Sequence, residues 1–230
     1  MEGKIWSKFQ SKKTDGSIQE FSVRDCTQDQ MEDVFDIYYN YFLTDESFHK
    51  LSGVPYSEEA KIECKPLLAE MLKEKSNHIV VCVEESTGNV VGVSSMKLQI
   101  GVDDKMPKIK LQSKEMAKLF QMLNRMIDFY DITKKYCVEK WYDGRGVIVH
   151  PDYRNFGIGS ALVQSRRKIC KEQRVPITCA WMTSIGTQIA AERDGWETEF
   201  EIDSREFARQ FDTTPYDGIA PTFKVMMGKP

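Results

Sequence analysis

The chain has 230 residues, 41% of them hydrophobic and 29% charged, with a formal net charge of −3 at pH 7. Such a chain can bury a substantial core as one domain spanning residues 1–230. Acidic and basic residues are interleaved, so no field gathers polyanions and nucleic acid is not expected as a partner, while no apolar run approaches the roughly 18 residues of a membrane span.

The stretch Met1 to Lys13 carries Lys4, Lys8, Lys12 and Lys13 between isolated apolar residues, unlike the continuous apolar run of a signal peptide. Cys26, Cys64, Cys82, Cys137, Cys170 and Cys179 are scattered singly, without the close pairs that hold zinc or the density of a disulfide scaffold. Reduced, mostly structural thiols are expected, in a metal-free, cytoplasmic and monomeric protein.

Ile18 to Arg24 reads as a first strand, although its alternation is imperfect. A helix follows a Thr27 cap, with Met31, Val34, Phe35, Tyr38 and Phe42 forming one apolar stripe. A second begins after Ser57, where Glu58 and Glu59 favour its positive end, and Pro66 marks a break or kink within it. Ile79 to Val83 and Val90 to Leu98 read as a hairpin joined at Ser86-Thr87-Gly88-Asn89. A long amphipathic helix is expected over residues 113–136, inserted between two central strands. Then come a strand at Gly146 to Val149, a helix from Gly159 to Lys171, a strand from Pro176 to Met182 and a helix from Ser184 to Arg193. Glu199 to Ile202 and Thr222 to Met227 close the chain as strands.

The most informative stretch runs from Gly146 to Leu162, where an apolar strand enters a proline-bounded loop and the loop enters a helix with Gly157 and Gly159 at its mouth. Unpaired N–H groups and the helix dipole attract an anion there, and glycine admits phosphate oxygens close to the backbone. Taken alone, two glycines can equally well shape an ordinary strand-to-helix connection. The three glycines of a dinucleotide fingerprint and the Gly-Lys-Ser/Thr of a phosphate-binding loop do not occur here.

Arg154, Gly157 and Gly159 match the Arg-x-x-Gly-x-Gly signature of the GNAT superfamily, preceded, as in that family, by an apolar strand and His150-Pro151-Asp152-Tyr153. The resemblance implies an α/β (α+β) acyl-coenzyme A N-acyltransferase fold. Its central mixed, mostly antiparallel sheet of about seven strands would be splayed at the cofactor site and flanked by helices on both faces. It implies acetyl-coenzyme A as cosubstrate, with the pyrophosphate against Arg154, Asn155, Phe156, Gly157, Ile158, Gly159 and Ser160, and the pantetheine arm along the backbone of Val147, Ile148 and Val149. Arg166, Arg167, Lys168 and Lys171 either meet the cofactor's terminal phosphate or form a solvated helix face.

Over most of its length the chain is most similar to the insect arylalkylamine N-acetyltransferase group. Those proteins carry Asp-Glu-Pro-Leu after the first helix; here the match is Asp45-Glu46-Ser47-Phe48, with Ser47 in place of proline. The resemblance implies that Glu46 is the general base, and burial beside Phe42 and Phe48 is expected to raise its pKa. Two family serines correspond to Thr183 and Thr187, whose four-residue spacing would put both hydroxyls on one helical face to orient substrate or return a proton to the thiolate; alternatively Thr183 or Ser184 caps the helix. The expected reaction is direct acetyl transfer to a small arylalkylamine in a ternary complex. Tyr38, Tyr39, Phe42, Phe48, Tyr56, Tyr142, Trp181 and Tyr216 are candidates to line the amine pocket. Transfer to polyamines and non-catalytic acyl-coenzyme A sensing are the competing readings.

Overall fold

The computed structural model describes residues 3–12, 15–101 and 109–230; Lys13, one of the basic N-terminal residues noted above, lies outside the described residues. The described strands form one eight-stranded sheet in the order β1-β2-β3-β4-β5-β6-β8-β7. They are β1 (Ile5–Lys12), β2 (Ile18–Asp25), β3 (Asn77–Glu84), β4 (Val90–Ile100), β5 (Lys140–Val149), β6 (Thr178–Met182), β7 (Glu197–Asp203) and β8 (Thr222–Gly228). Neighbours run antiparallel except β5 and β6. The eighth strand is β1, which the sequence reading lacks. A register irregularity between Ile5 and Ser7 breaks the period-two pattern there, leaving Trp6 and Phe9 as its core-facing residues without regular alternation.

Pleating divides β3 cleanly, and this sets the two faces of the sheet. Val80 and Cys82 face one cluster with Phe21, Val23, Leu162 and Ile169, and Val81 and Val83 face another with Val34, Tyr38, Leu72 and Ile148. Each of these β3 residues is at most 2% exposed, and full burial of one valine stabilises by about 1.5–3 kcal/mol.

The predicted first helix is subdivided. A 3-10 turn (Gln28–Gln30) begins it, with the Thr27 N–H and hydroxyl both donating to Gln30 Oε1. There follow α1 (Met31–Ile37), a π-helical turn (Tyr38–Phe42) and the short α2 (Leu43–Asp45). The chain then turns extended at Glu46 (φ −67, ψ 139) and re-enters helix as α3 (Ser47–Ser52). The wide turn aims Tyr38 across the sheet, where its hydroxyl donates to the Arg145 carbonyl at 3.0 Å.

Ser57 caps α4 (Glu58–Lys73), accepting the Ala60 N–H at 3.2 Å, and the helix runs through Pro66 rather than stopping there. Ser113 caps α5 (Lys114–Phe129), which ends before the predicted Tyr136: Tyr130 is extended, and Asp131 accepts N–H groups from Thr133 and Lys134 to start a separate α6 (Ile132–Tyr136). A short polar side chain bonding its own backbone two and three residues on competes with helix continuation. α7 (Ile158–Gln173) covers one sheet face, α8 (Ile185–Arg193) packs beside it, and α9 (Ser204–Arg209) joins α3 and α5 around Phe48, Met116, Phe207 and Phe223. No helix among the described residues is long and apolar enough to cross a membrane.

Candidate active site

β5 and β6 pair in register only at Tyr142–Thr178 and Asp143–Cys179, although β5 runs on to Val149 and β6 to Met182. Beyond Asp143, β5 keeps β4 as its strand partner on one side, with Val147, Ile148 and Val149 opposite Ser94, Val93 and Gly92. The strands are splayed.

Arg166 of α7 ties β4 to β5 beyond the last β5–β6 pair, where the β4–β5 register is irregular. Its side chain is 1% exposed; Nε donates to Ser94 Oγ at 2.9 Å, and Nη2 donates to the carbonyls of Ser95 at 3.2 Å and Gly146 at 2.8 Å. Burial pulls its pKa down to about 10, so it remains a cation at neutral pH. Gly144 makes room for it: a Cβ there would sit 2.4 Å from Arg166 Nη1. Arg166 is therefore enclosed in the sheet and out of reach of a phosphate at the surface. Arg167 donates to the carbonyls of Lys229 and Asp194, and Lys168 donates to the Trp6 carbonyl at 3.2 Å. Of this basic run, Arg166 is thus taken up by the fold, while Arg167 and Lys168 bond backbone carbonyls at the surface.

At the end of β5 the chain passes His150, whose Nε2 lies 2.8 Å from the Tyr41 hydroxyl, and a 3-10 turn (Pro151–Tyr153). Asn155 (φ 70) and Gly157 (φ 81) both take left-handed backbone, turning the chain into the start of α7. Gly157 is the N-cap and offers no capping side chain, so the first-turn amides are left to an outside acceptor. A Cβ at Gly157 would meet nothing within 4 Å, and one at Gly159 would lie 3.9 Å from Val149, so the approach to these amides is open. Phe156 packs towards Phe21, and Ile158 is 1% exposed, anchoring the loop. Arg154, on the exposed side, donates from Nη2 to Asp45 at 2.5 Å and from Nε to the Val149 carbonyl at 3.4 Å.

Glu46 stands beyond Asp45 as the N-cap of α3. Its Oε2 accepts the N–H groups of Phe48 at 2.8 Å and His49 at 3.0 Å and lies 2.9 Å from His49 Nδ1, and its Oε1 accepts the Thr183 hydroxyl at 2.9 Å. Burial pushes the carboxyl upward, as expected from the sequence, but the contacts to His49 and Thr183 outweigh it and hold the pKa below the ordinary value. The expected net rise is thus corrected to a fall. His49 moves the other way: burial opposes the cation, while the Cys64 sulfur and the Glu46 carboxylate raise its pKa to about 9. Ser47, standing where the family has proline, donates to the Thr183 carbonyl at 2.9 Å and accepts from the Tyr216 hydroxyl at 2.9 Å. The turn at Glu46 is thereby bound to the end of β6.

The family profile described as "Acetyltransferase (GNAT) family" matches residues 32–192, a span from α1 through α8 that includes the splayed strands, the glycine loop and Glu46. The chain belongs to the GNAT acetyltransferase family. Acetyltransferases of this family use acetyl-coenzyme A as cosubstrate. Among solved structures, arylalkylamine N-acetyltransferase 7 of the mosquito Aedes aegypti (so named by resemblance) superposes with a TM-score of 0.84 at 23% identity, covering 99% of this chain and 95% of that one. Arylalkylamine N-acetyltransferase 2 of Aedes aegypti gives 0.76 at 16% identity, covering 91% and 98%. The polyamine N-acetyltransferase of Drosophila melanogaster, an enzyme that catalyses the formation of N-acetylagmatine, gives 0.66 at 13% identity over 91% and 100%. No curated protein matches by sequence. At these identities the superpositions establish the GNAT fold, with the mixed, mostly antiparallel sheet expected and one strand more.

Within this GNAT chain the fold separates several residues grouped from sequence. Thr183 precedes α8 and turns to Glu46, whereas Thr187 donates to the Ser184 carbonyl at 3.0 Å, and Ser184 is the cap. The two threonines do not share a helical face, because the helix begins only at Ile185. Of the candidate pocket aromatics, Tyr38, Phe48 and Tyr142 are at most 3% exposed and belong to the core, and Tyr56 lies out at 75% exposure. Phe42, whose ring meets His49 edge-on at 5.4 Å, and Tyr216 remain beside Glu46. His49 and Asp45 were not singled out from the sequence; the available signal was the three-residue step from Glu46 to His49 in a helical segment. Among the described residues, no group of three or more His, Cys, Asp or Glu is placed to hold a metal ion.

Proposed function

We propose that the chain transfers the acetyl group of acetyl-coenzyme A to the primary amine of a small arylalkylamine, by direct attack in a ternary complex. The observation that carries this reading is the Thr183–Glu46 hydrogen bond at the mouth of the β5/β6 splay, on a turn linked through Asp45 to the glycine loop. In this reading the first-turn amides of Gly157, Ile158, Gly159 and Ser160, with Arg154 and the loop residues Asn155 and Phe156, hold the pyrophosphate. The edge of Val147, Ile148 and Val149 receives the pantetheine arm, and acetyl carbon and amine are brought to about 3–3.5 Å.

A carboxylate held below its ordinary pKa cannot efficiently strip a free alkylammonium, whose pKa is about 10. The amine therefore reacts from its neutral fraction. Once the nitrogen has bonded to the carbonyl carbon its remaining protons become acidic, and Glu46 accepts one directly or through the Thr183 hydroxyl. Consistent with this, kcat/KM should climb with pH towards the amine's own pKa.

Of the two amine classes, the aromatic one is favoured. A polyamine site needs carboxylates free for a second ammonium, but Glu46 is engaged by His49, and Asp143 by Arg145 at 3.2 Å. The half-buried rings of Phe42 and Tyr216 beside Glu46 suit an aryl group instead. The test is thiol release from acetyl-coenzyme A with tyramine, dopamine, serotonin, histamine and spermidine. Turnover on the aromatic amines, falling about 100-fold in Glu46→Gln, supports the reading; silence across the panel with cofactor binding intact overturns it in favour of a sensing module, and preference for spermidine overturns the amine class.

A further inference from the structure

A proton acceptor must be an anion when the substrate arrives, and a buried carboxyl resists ionisation unless something compensates. The Glu46 side chain is 10% exposed and the His49 side chain 15%. Two backbone N–H groups and His49 Nδ1 converge on Oε2, which leaves Oε1 turned to Thr183.

The groups around this pair have other engagements. On the same segment, Asp45 is taken by Arg154, and the Lys50 ammonium lies 4.9 Å above the Tyr216 ring and 3.8 Å from Asp45. From α4 comes the Cys64 sulfur, an acceptor for the imidazole; from the end of β6, the neutral Thr183 hydroxyl; from the loop before β8, Tyr216, whose hydroxyl goes to Ser47. Phe42 covers the imidazole edge-on. Among the described residues, His49 is the basic side chain that reaches Glu46.

We propose that His49 is a positioning residue for acetyl transfer: as an imidazolium held between Glu46 and Cys64, it keeps Glu46 an oriented carboxylate anion whose Oε1 edge, shared with Thr183, receives the amine's proton. The role rests on the acetyl-transfer reading above. The step balances as follows: the nitrogen lone pair forms the C–N bond, the C–S pair leaves on sulfur as the thiolate, and the nitrogen's proton passes to Glu46 Oε1. If Thr183 relays it, the hydroxyl gives one proton to Glu46 and takes one from nitrogen. His49 keeps its proton throughout, and Glu46 later returns its own to the thiolate or to solvent.

Two measurements test this. The first is kcat against pH, with saturating tyramine and acetyl-coenzyme A, for the wild type and His49→Gln. The neutral side chain should move the acid limb up by about one pH unit or more, with the acetyl-coenzyme A KM within about twofold. An active, folded variant whose acid limb has not moved overturns the role of His49 alone; a wild type silent towards all the amines overturns the parent reading and this role with it. The second needs no turnover and no His49 variant. The chain has three histidines, so ring 15N titration can follow each. His49 should stay protonated past pH 8 in the wild type and titrate at clearly lower pH in Glu46→Gln. A wild-type His49 that is neutral at pH 7.5 overturns the proposal.

Discussion

Arg154 and Asp45 are joined by a 2.5 Å hydrogen bond between guanidinium and carboxylate, so the glycine loop holds the residue immediately before Glu46. The side chains are 48% and 46% exposed, and such a pair contributes about 1 kcal/mol or less. Asp45→Asn should therefore leave thermal stability nearly unchanged while releasing the guanidinium for phosphate. Calorimetry at low salt is expected to give tighter coenzyme A binding; weaker binding would mean that Asp45 orients Arg154 rather than competing for it.

Gly159 separates binding from stability. A methyl group there would meet Val149 at 3.9 Å, ordinary van der Waals contact, and alanine in a first helical turn costs nothing relative to glycine. Gly159→Ala should keep or slightly raise the melting temperature while the acetyl-coenzyme A KM rises about tenfold, since on the proposed reading the methyl stands in the path of the phosphate. An unchanged KM would place the phosphate elsewhere.

Arg166→Met should be among the most damaging single changes. It leaves Asp143 with one fewer cation and strips a donor from the carbonyls of Ser95 and Gly146 inside the sheet. Removing one member of a buried polar network costs about 3 kcal/mol, a fall in Tm on the order of 10 °C for a chain of this size. Arg166→Lys should recover little, because one ammonium cannot span Ser94, Ser95 and Gly146 together.

How much of this was readable from the residues depends on distance along the chain. The strand, loop and helix from Gly146 to Leu162 were legible because their signals are local: β-branched residues, a proline and glycines where the backbone turns left-handed. The sheet was legible for the same reason, apart from β1, whose bulge interrupts the alternation. Arg166 was misleading because position on a basic helix does not disclose which face is enclosed, and only the approach of Gly144 makes the cavity that takes it. The pKa of Glu46 could not be read either, since its sign is decided by His49, brought onto the carboxylate by the turn into α3, and then by Thr183, 137 residues away.

The Glu46–His49 pair also sets a pH dependence of stability. His49 is raised in the folded chain from its ordinary value of about 6.5 to about 9, so its contribution is fully present below about pH 6.5 and is lost as pH rises through 9. Glu46 is lowered, so its contribution is present above its ordinary value of about 4.3 and is lost as pH falls towards its folded pKa. The two shifts share the Glu46–His49 contact, to which Cys64 adds on the histidine side and Thr183 on the carboxylate side. Urea unfolding should therefore show stability declining between pH 7 and 9.5 by on the order of 2 kcal/mol, a decline that His49→Gln should flatten.

The enclosed guanidinium of Arg166 has one further effect. Two neighbouring strands left to themselves would zip together along their whole length, and a ligand would then have to prise them apart. Here Arg166 fastens β5 to β4 past the last β5–β6 pair, so the slot exists before any guest enters it, and the work of holding the strands apart is done once, during folding, rather than at every turnover.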